Sequence, residues 1–302
     1  MSGKGKVVVL TVLVVGFVTA SVFISQSRSV KAQLVETVKV MRKQQREWFQ
    51  AADNRQADVA ASEELAAVRR QGISQNLAGV DISKMDSDEI IHTMHSILDN
   101  SDTQCSRKLR MGKIGDGGWE ICDDVDVRPR HPCIVYSFGI NNDFSFDDNT
   151  AKYYGCHVYS FDPSMKQESH NRSDKVHFYK IGIAGETTVN KRGWKLYTFS
   201  DIRKLLGHVN ATIDVVKIDV EGAEWSSLKH MVASGEIKHF KQLLLEYHVA
   251  TIKRDSLEVV QSVESQGYKK FYTHKNPACP VWIPKFPSVR TKCYEVHYLR
   301  RP

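Results

Sequence analysis

Ile213-Asp214-Val215-Val216-Lys217-Ile218-Asp219-Val220-Glu221-Gly222-Ala223-Glu224-Trp225 is the stretch whose reading decides the fold. Its first half is an apolar, β-branched run too short for a helix, the pattern of a buried parallel strand. Acids, a glycine and Ala-Glu-Trp follow, which predicts a turn and then a helix start. In an open α/β sheet this is the carboxyl end of a strand, where such folds place their ligands. Gln242-Leu243-Leu244-Leu245-Glu246-Tyr247-His248 repeats the design, an apolar run ending in polar chemistry. Residues two apart on an extended backbone point the same way. Asp219 with Glu221, and Glu246 with His248, are therefore expected to converge on one pocket, and these four are the candidate catalytic groups. Lys217 in a buried strand needs a partner, for which Asp219 or Glu246 is the expectation. Trp225 is expected in the core.

Upstream, Cys133-Ile134-Val135-Tyr136-Ser137-Phe138 reads as a strand broken at Gly139, after which Asn141 and Asn142 tolerate left-handed backbone angles. Cys156-His157-Val158-Tyr159-Ser160-Phe161-Asp162-Pro163 repeats strand and break. Asp162 stands where a carboxylate can accept both hydroxyls of a ribose. The Gly139-to-Asp162 spacing is that of a dinucleotide- or S-adenosylmethionine-type first βαβ unit. An NAD-dependent oxidoreductase shares that spacing but needs a G-x-G-x-x-G loop, which is absent. Further strands are predicted over residues 176–185, 242–248, 268–272 and 293–299. Helices are predicted over 86–98, capped by Asp86 or Ser87, and over 255–266, stopped by Gly267. Another helix enters after Leu196 through a Ser200/Asp201 cap. Gly115-Asp116-Gly117-Gly118-Trp119-Glu120-Ile121-Cys122 carries an Asp-Gly turn signal for a β-hairpin. Strands alternating with helices predict a doubly wound α/β sheet.

Lys217-Ile218-Asp219-Val220-Glu221-Gly222-Ala223-Glu224 resembles the fourth-strand motif of FkbM-type class I S-adenosylmethionine (SAM) methyltransferases. Together with Gly115 to Cys122, Val135 to Ile140, Asp143-Phe144-Ser145-Phe146-Asp147 and Phe161-Asp162-Pro163, the order of motifs from about Cys105 to Leu299 resembles the methyltransferase-like protein 24 family, a branch near the FkbM enzymes. The resemblance implies a Rossmann-like class I methyltransferase sheet with helices on both faces. It implies SAM as cofactor, bound by Gly139, Asn141 and Asp143 in the first loop, Asp162 at the ribose, Ile183 and Ala184 beside the adenine, and Asp219 near cofactor and acceptor. General class I enzymes carry several glycines in that loop, whereas here Ile140-Asn141-Asn142 follows Gly139, as in the branch itself. The family supplies no acceptor. FkbM relatives act on sugar or polyketide hydroxyls, so the expected acceptor is a hydroxyl of a glycan or small metabolite, with His248 or Glu246 as base. The primary assignment has no metal; a divalent metal on Asp219, Glu221 and His248, for a catechol-like acceptor, is the alternative. The rival function is a non-catalytic binding or scaffold protein, favoured by the glycine-poor loop and opposed by the acids on strands two and four.

The chain has 302 residues, a formal charge of +7 and 41% hydrophobic residues, enough for a core. Its basic residues are spread, without the basic stripe and interleaved aromatics of a nucleic-acid surface, so no nucleic-acid partner is expected. Val7 to Ile24 is an apolar run of roughly 18 residues, long enough to span a bilayer. Residues 1–30 are read as a signal-anchor, with cleavage after Val18-Thr19-Ala20 and secretion as the alternative. Residues 31–100 are expected as a helical stem, in which Leu34, Val38, Met41, Trp48 and Ala52 form an amphipathic stripe and a candidate dimerisation helix. Residues 101–302 form the expected catalytic domain. The sequons Asn171-Arg172-Ser173 and Asn210-Ala211-Thr212, with the even set Cys105, Cys122, Cys133, Cys156, Cys279 and Cys293, predict a lumen-facing protein of the ER or Golgi. Six cysteines allow about 15 pairings, and the sequence does not choose among them. The absence of Cys-x-x-Cys argues against a thiolate zinc site.

Overall fold

The computed structural model describes residues 35–50, 77, 79–283 and 289–301. From residue 77 the elements are helix α1 (Ser87–Leu98), strands β1 (Lys108–Met111), β2 (Trp119–Cys122) and β3 (Ile134–Phe138), helix α2 (Ser145–Tyr154), and strands β4 (His157–Phe161), β5 (His170–Asn171), β6 (Val176–Tyr179), β7 (Gly182–Ile183), β8 (Thr188–Val189) and β9 (Lys195–Tyr197). There follow helix α3 (Phe199–Leu205), strand β10 (Ile213–Ile218), helix α4 (Glu224–Ala233), strand β11 (Phe240–His248), helix α5 (Arg254–Ser265), and strands β12 (Lys269–Lys275), β13 (Pro280–Val281), β14 (Arg290–Thr291) and β15 (Cys293–Leu299).

Eight strands share one sheet in the order β12-β15-β11-β10-β3-β4-β6-β5. The series from β11 to β6 is parallel throughout. The last strand, β15, enters antiparallel between β11 and β12, and β5 is a short antiparallel edge. The chain builds outward from β3 through β4 to β6, then crosses back to lay β10 on the other side of β3. That reversal leaves a crevice beyond the carboxyl ends of β3 and β10.

The central strands are buried on both faces, which is why they read as nearly continuous apolar runs. Alternate side chains divide the core. Phe138, Ile218 and Leu245 pack with residues of α1, α3, α4 and α5. Val135, Val215 and Leu244 pack with Phe146 of α2 and with Trp119 and Ile121 of the β1–β2 hairpin. Gln242 clips that hairpin to the sheet: its Oε1 accepts from the Cys122 N–H at 2.8 Å, and its Nε2 donates to the carbonyls of Cys122 at 2.8 Å and Val127 at 3.2 Å.

Several expectations are refined. Helix α1, assigned above to the stem, opens with a capping box in which Asp86 and Glu89 satisfy each other's backbone N–H groups at 2.8 Å. It buries Ile90, Met94 and Ile97 in the sheet's own core, so the compact unit starts upstream of residue 101. The strand expected over residues 176–185 divides after Tyr179, and β7 joins β9 and β8 in a separate small sheet. Gly182 permits this because a side chain there would overlap Pro163 and Leu196. The cap of α3 is Thr198, whose hydroxyl accepts from the Asp201 N–H at 3.2 Å. The cysteines pair as Cys105–Cys122, Cys133–Cys156 and Cys279–Cys293.

Residues 35–50 form a helix in a unit of their own. It exposes Val35, Met41, Trp48 and Phe49, with the last two rings edge to face at 5.1 Å. Among the described residues no helix is long and apolar enough to cross a membrane. The run from Val7 to Ile24, Leu34 and Ala52 lie outside those residues.

Candidate active site

The crevice is shaped first by the β3–α2 loop. Gly139 has φ 80°, and a Cβ there would overlap the carbonyl oxygen of Asp219, so glycine is required where the two strand ends touch. Asn141 and Asn142 follow at φ 44° and 64°, the left-handed conformation expected of them. Lys217 sits beneath this loop. Its Nζ donates to the carbonyls of Gly139 at 2.6 Å and Phe138 at 3.2 Å and lies 5.2 Å from the centre of the Trp119 ring. It donates to main-chain oxygens, with an aromatic face and the buried Asp147 carboxyl as further neighbours, and pairs with neither Asp219 nor Glu246. The side chain of a parallel strand here reaches along its own face to the neighbouring strand's end, which spacing alone does not show.

Asp162 ends β4 and lines the crevice, with 4% of its surface exposed. Its Oδ2 accepts from the N–H groups of Ile140 at 3.0 Å and Asn141 at 2.8 Å, and its Oδ1 from Ser164 N–H at 2.8 Å and Oγ at 2.6 Å. All four acceptor positions of the carboxylate are thereby filled by the chain. Asp162 thus braces the loop from within the crevice where the ribose was expected. Asp143, expected in the cofactor loop, pairs with Lys113 at 2.9 Å and accepts from the Ser145 N–H at 3.0 Å, anchoring the start of α2 instead.

A cluster of acids surrounds His248 at the ends of β10 and β11. Glu224, fully buried in the first turn of α4, accepts from Gly222 N–H at 2.7 Å and His248 N–H at 2.9 Å, and its Oε1 lies 3.3 Å from His248 Nδ1. Trp225, half-buried and stacked on Tyr247, donates its indole N–H to the His248 carbonyl at 3.1 Å. One carboxylate and one indole thus fix both the backbone and the ring of His248. The other ring nitrogen, Nε2, faces Glu221 at 3.3 Å, Glu246 at 3.6 Å and Asp219 at 4.0 Å. Burial alone would lower the imidazolium, but Glu224, Glu246 and Glu221 around it outweigh burial and raise it. Burial, with the Asp219 charge beside it, pushes the Glu246 carboxyl up. Asn276 donates to Glu246 Oε1 at 3.1 Å. Glu295 stands directly across from Glu246 on β15, and burial and that neighbouring carboxylate push it up to about 8.

The crevice has a volume of about 550 Å³, within the range of small-molecule sites. Of the residues singled out in the sequence, Gly139, Asn141, Asp162, Ile183, Asp219 and Glu221 line it. Glu246 and His248 stand behind its Asp219–Glu221 rim. Ala184 does not line it; its N–H donates to the Tyr197 carbonyl at 2.9 Å. The opposite wall is one the sequence did not disclose: Asn190, Arg192, Trp194 and Leu196 of the β8–β9 hairpin. Asn190 Oδ1 accepts from the N–H groups of Arg192 at 2.9 Å and Trp194 at 3.1 Å, closing the turn. The turn signal was present in Asn190-Lys191-Arg192-Gly193, but nothing local says that the turn returns to the crevice.

A sheet whose strand order reverses at β3, a glycine turn at that reversal and acids at the neighbouring strand ends define a methyltransferase-like α/β domain. The chain belongs to the family described as Methyltransferase domain, whose model matches residues 94–299. It is similar to the "Probable methyltransferase-like protein 24" of Homo sapiens, 22% identical over 203 residues covering 60% of this chain and 55% of the relative. The Rattus norvegicus protein of the same name is 23% identical over 202 residues, with the same coverage. The chain thus spans about half the length of these curated relatives. Among solved structures it is similar to the "Methanococcus jannaschii fibrillarin pre-rRNA processing protein" at a TM-score of 0.32 and 10% identity, over 66% of this chain and 85% of the other.

Proposed function

We propose that this chain is a SAM-dependent methyltransferase that acts on a hydroxyl of a glycan or small metabolite. The reading is carried by one juxtaposition, a glycine-turn crevice at the strand-order reversal with an acid–histidine cluster at its rim. The residues fit the cofactor. Gly139 lets the loop turn tightly against Asp219 at the crevice wall, where a Cβ would overlap the Asp219 carbonyl. Asn141 and Ser164 offer polar contacts, and Phe161, Ile183, Leu196 and Trp194 offer an apolar wall for a flat base. When bound, SAM supplies a methyl group on a sulfonium, whose transfer to oxygen makes a C–O bond, breaks the C–S bond with its electron pair left on sulfur, and frees the hydroxyl proton.

The chain's own groups orient the acceptor and take that proton. Asp219 and Glu221 form the crevice rim on the side of the cluster. Glu246 is the base in this reading, because Asn276 holds one of its oxygens at 3.1 Å and leaves Oε2 turned toward the cluster. His248 is the second candidate, through Nε2, because Glu224 engages its Nδ1. The closed disulfides and the exposed sequon residues Asn171 and Asn210 support a setting in an oxidising secretory compartment. The filled acceptor positions of Asp162 favour the rival, a methyltransferase fold kept for binding alone.

Transfer from methyl-labelled SAM to a panel of glycans and small hydroxyl compounds distinguishes the two. The enzyme reading expects label on an acceptor with the full chain, and a loss of about a hundredfold or more in kcat for Glu246→Gln with SAM affinity kept. Equal rates in wild type and Glu246→Gln would remove Glu246 from the chemistry, and an unlabelled panel would favour the rival.

A further inference from the structure

Asp219 at the end of β10, Glu221 in the turn after it and His248 at the end of β11 present ligand atoms that all lie within 4.8 Å of one another. We propose that these three residues hold a divalent cation of the magnesium or manganese class, and that the cation seats an acceptor carrying two adjacent oxygens, such as a vicinal diol. The proposal rests on the methyltransferase reading above and names its acceptor class.

The histidine is built as a ligand is built. Glu224 accepts from the His248 N–H at 2.9 Å and lies 3.3 Å from Nδ1, so Nε2 is the atom turned to the acids. A carboxylate behind a histidine, fixing its ring and tautomer, is the usual support of a metal-bound imidazole. A separate observation also points to an ion. Glu246, its side chain only 7% exposed, turns Oε2 into the cluster 3.6 Å from His248 Nε2, beyond hydrogen-bond range, with the Asp219 carboxyl group beside it. Among the described residues no lysine or arginine forms an ion pair with Asp219, Glu221, Glu224 or Glu246; His248 is the partner of each. Four carboxylates around one imidazole leave negative charge in a partly buried place, which a cation would balance.

The donor set is two carboxylate oxygens and one imidazole nitrogen, which suits a hard, six-coordinate ion better than a thiolate-seeking one. Three protein ligands leave three positions. Asp219 and Glu221 line the crevice, and the Glu221 side chain is 88% exposed, so the open positions face the space an acceptor would enter. Two neighbouring acceptor oxygens would fill two of them. One oxygen would then sit beside Glu246, the base in the reading above.

The test uses the full chain stripped with EDTA. Manganese is titrated in and followed by its electron paramagnetic resonance signal, with magnesium as competitor; SAM binding is measured separately in EDTA. One saturable manganese site is expected, displaced by magnesium and weakened at least about tenfold in His248→Gln and Asp219→Asn. Glu221→Gln, at an exposed position, is expected to weaken it severalfold. Catechol is expected to change the bound-manganese spectrum, and phenol, with one hydroxyl, to leave it unchanged. No saturable binding, or the same binding in all three variants, would overturn the site and leave His248 as an imidazolium held by acids. Equal effects of catechol and phenol would overturn the chelated acceptor. If SAM binds in EDTA while manganese does not, only the cation is lost; if manganese binds and SAM never does, the methyltransferase reading fails instead.

Discussion

His297 shows how one buried ring can set the acid stability of the protein. It lies on β15 with no exposed surface, stacked on Trp119 at 5.3 Å, and Glu120 Oε2 stands 3.7 Å from its Nδ1. Burial lowers the imidazolium to about 3. The unfolded chain therefore takes up a proton near pH 6.5 that the native state refuses, so this contribution to stability is complete above about 6.5 and is lost as pH falls toward 3. Between pH 7 and 5 the loss from His297 alone is about 2 kcal/mol. His95, lowered to about 4 by burial with Arg290 nearby, acts in the same sense. Urea unfolding at both pH values is expected to show a smaller drop for His297→Phe than for wild type, by about that amount; parallel drops would mean that His297 is protonated in the native state. None of this was legible locally. The sequence places His297 on a strand, but that Trp119 of a distant hairpin covers it depends on tertiary packing.

The loop after β3 and the strand β10 act as a pair, because Lys217 of the strand holds the loop's carbonyls from below. Lys217→Met keeps the length of the side chain and removes the donor, leaving two main-chain oxygens without it. A cost of about 2–4 kcal/mol in unfolding free energy is expected, together with weaker SAM binding, because the same oxygens set the turn at Gly139. Both are read on one variant by urea unfolding and SAM titration. Lost stability with unchanged SAM affinity would make Lys217 a packing residue only. At this scale the sequence was most informative where burial is two-sided. The apolar runs of β10, β11 and β15 announced their strands, and the last was expected over the residues observed, Cys293–Leu299. The four polar groups expected together do meet, Glu246 and His248 through the extended backbone the spacing assumes, but Asp219 and Glu221 through a turn in which Glu221 takes φ 53°. The sequence was least informative for the β8–β9 hairpin. Its short, polar strands are placed by the close pass at Gly182 and not by periodicity of their own.

For the molecule as a whole, alternation of strands and helices was enough to predict a doubly wound sheet, while the insertion of β15 between β11 and β12 was not, because an antiparallel pairing of the last strands leaves no mark in their composition. Disulfide pairing was likewise closed to sequence reading. It is decided by which strand ends lie side by side, as β3 and β4 bring Cys133 to Cys156. The central claim is that the crevice at the reversal of strand order binds SAM. Its most direct test is calorimetric titration of SAM into the full, disulfide-bonded chain beside Gly139→Val, with near-ultraviolet circular dichroism to show that each is folded. The account predicts one saturable site in the wild type, and its loss in the variant, whose side chain would drive the loop off Asp219. Folded wild-type protein that takes up no SAM would contradict it.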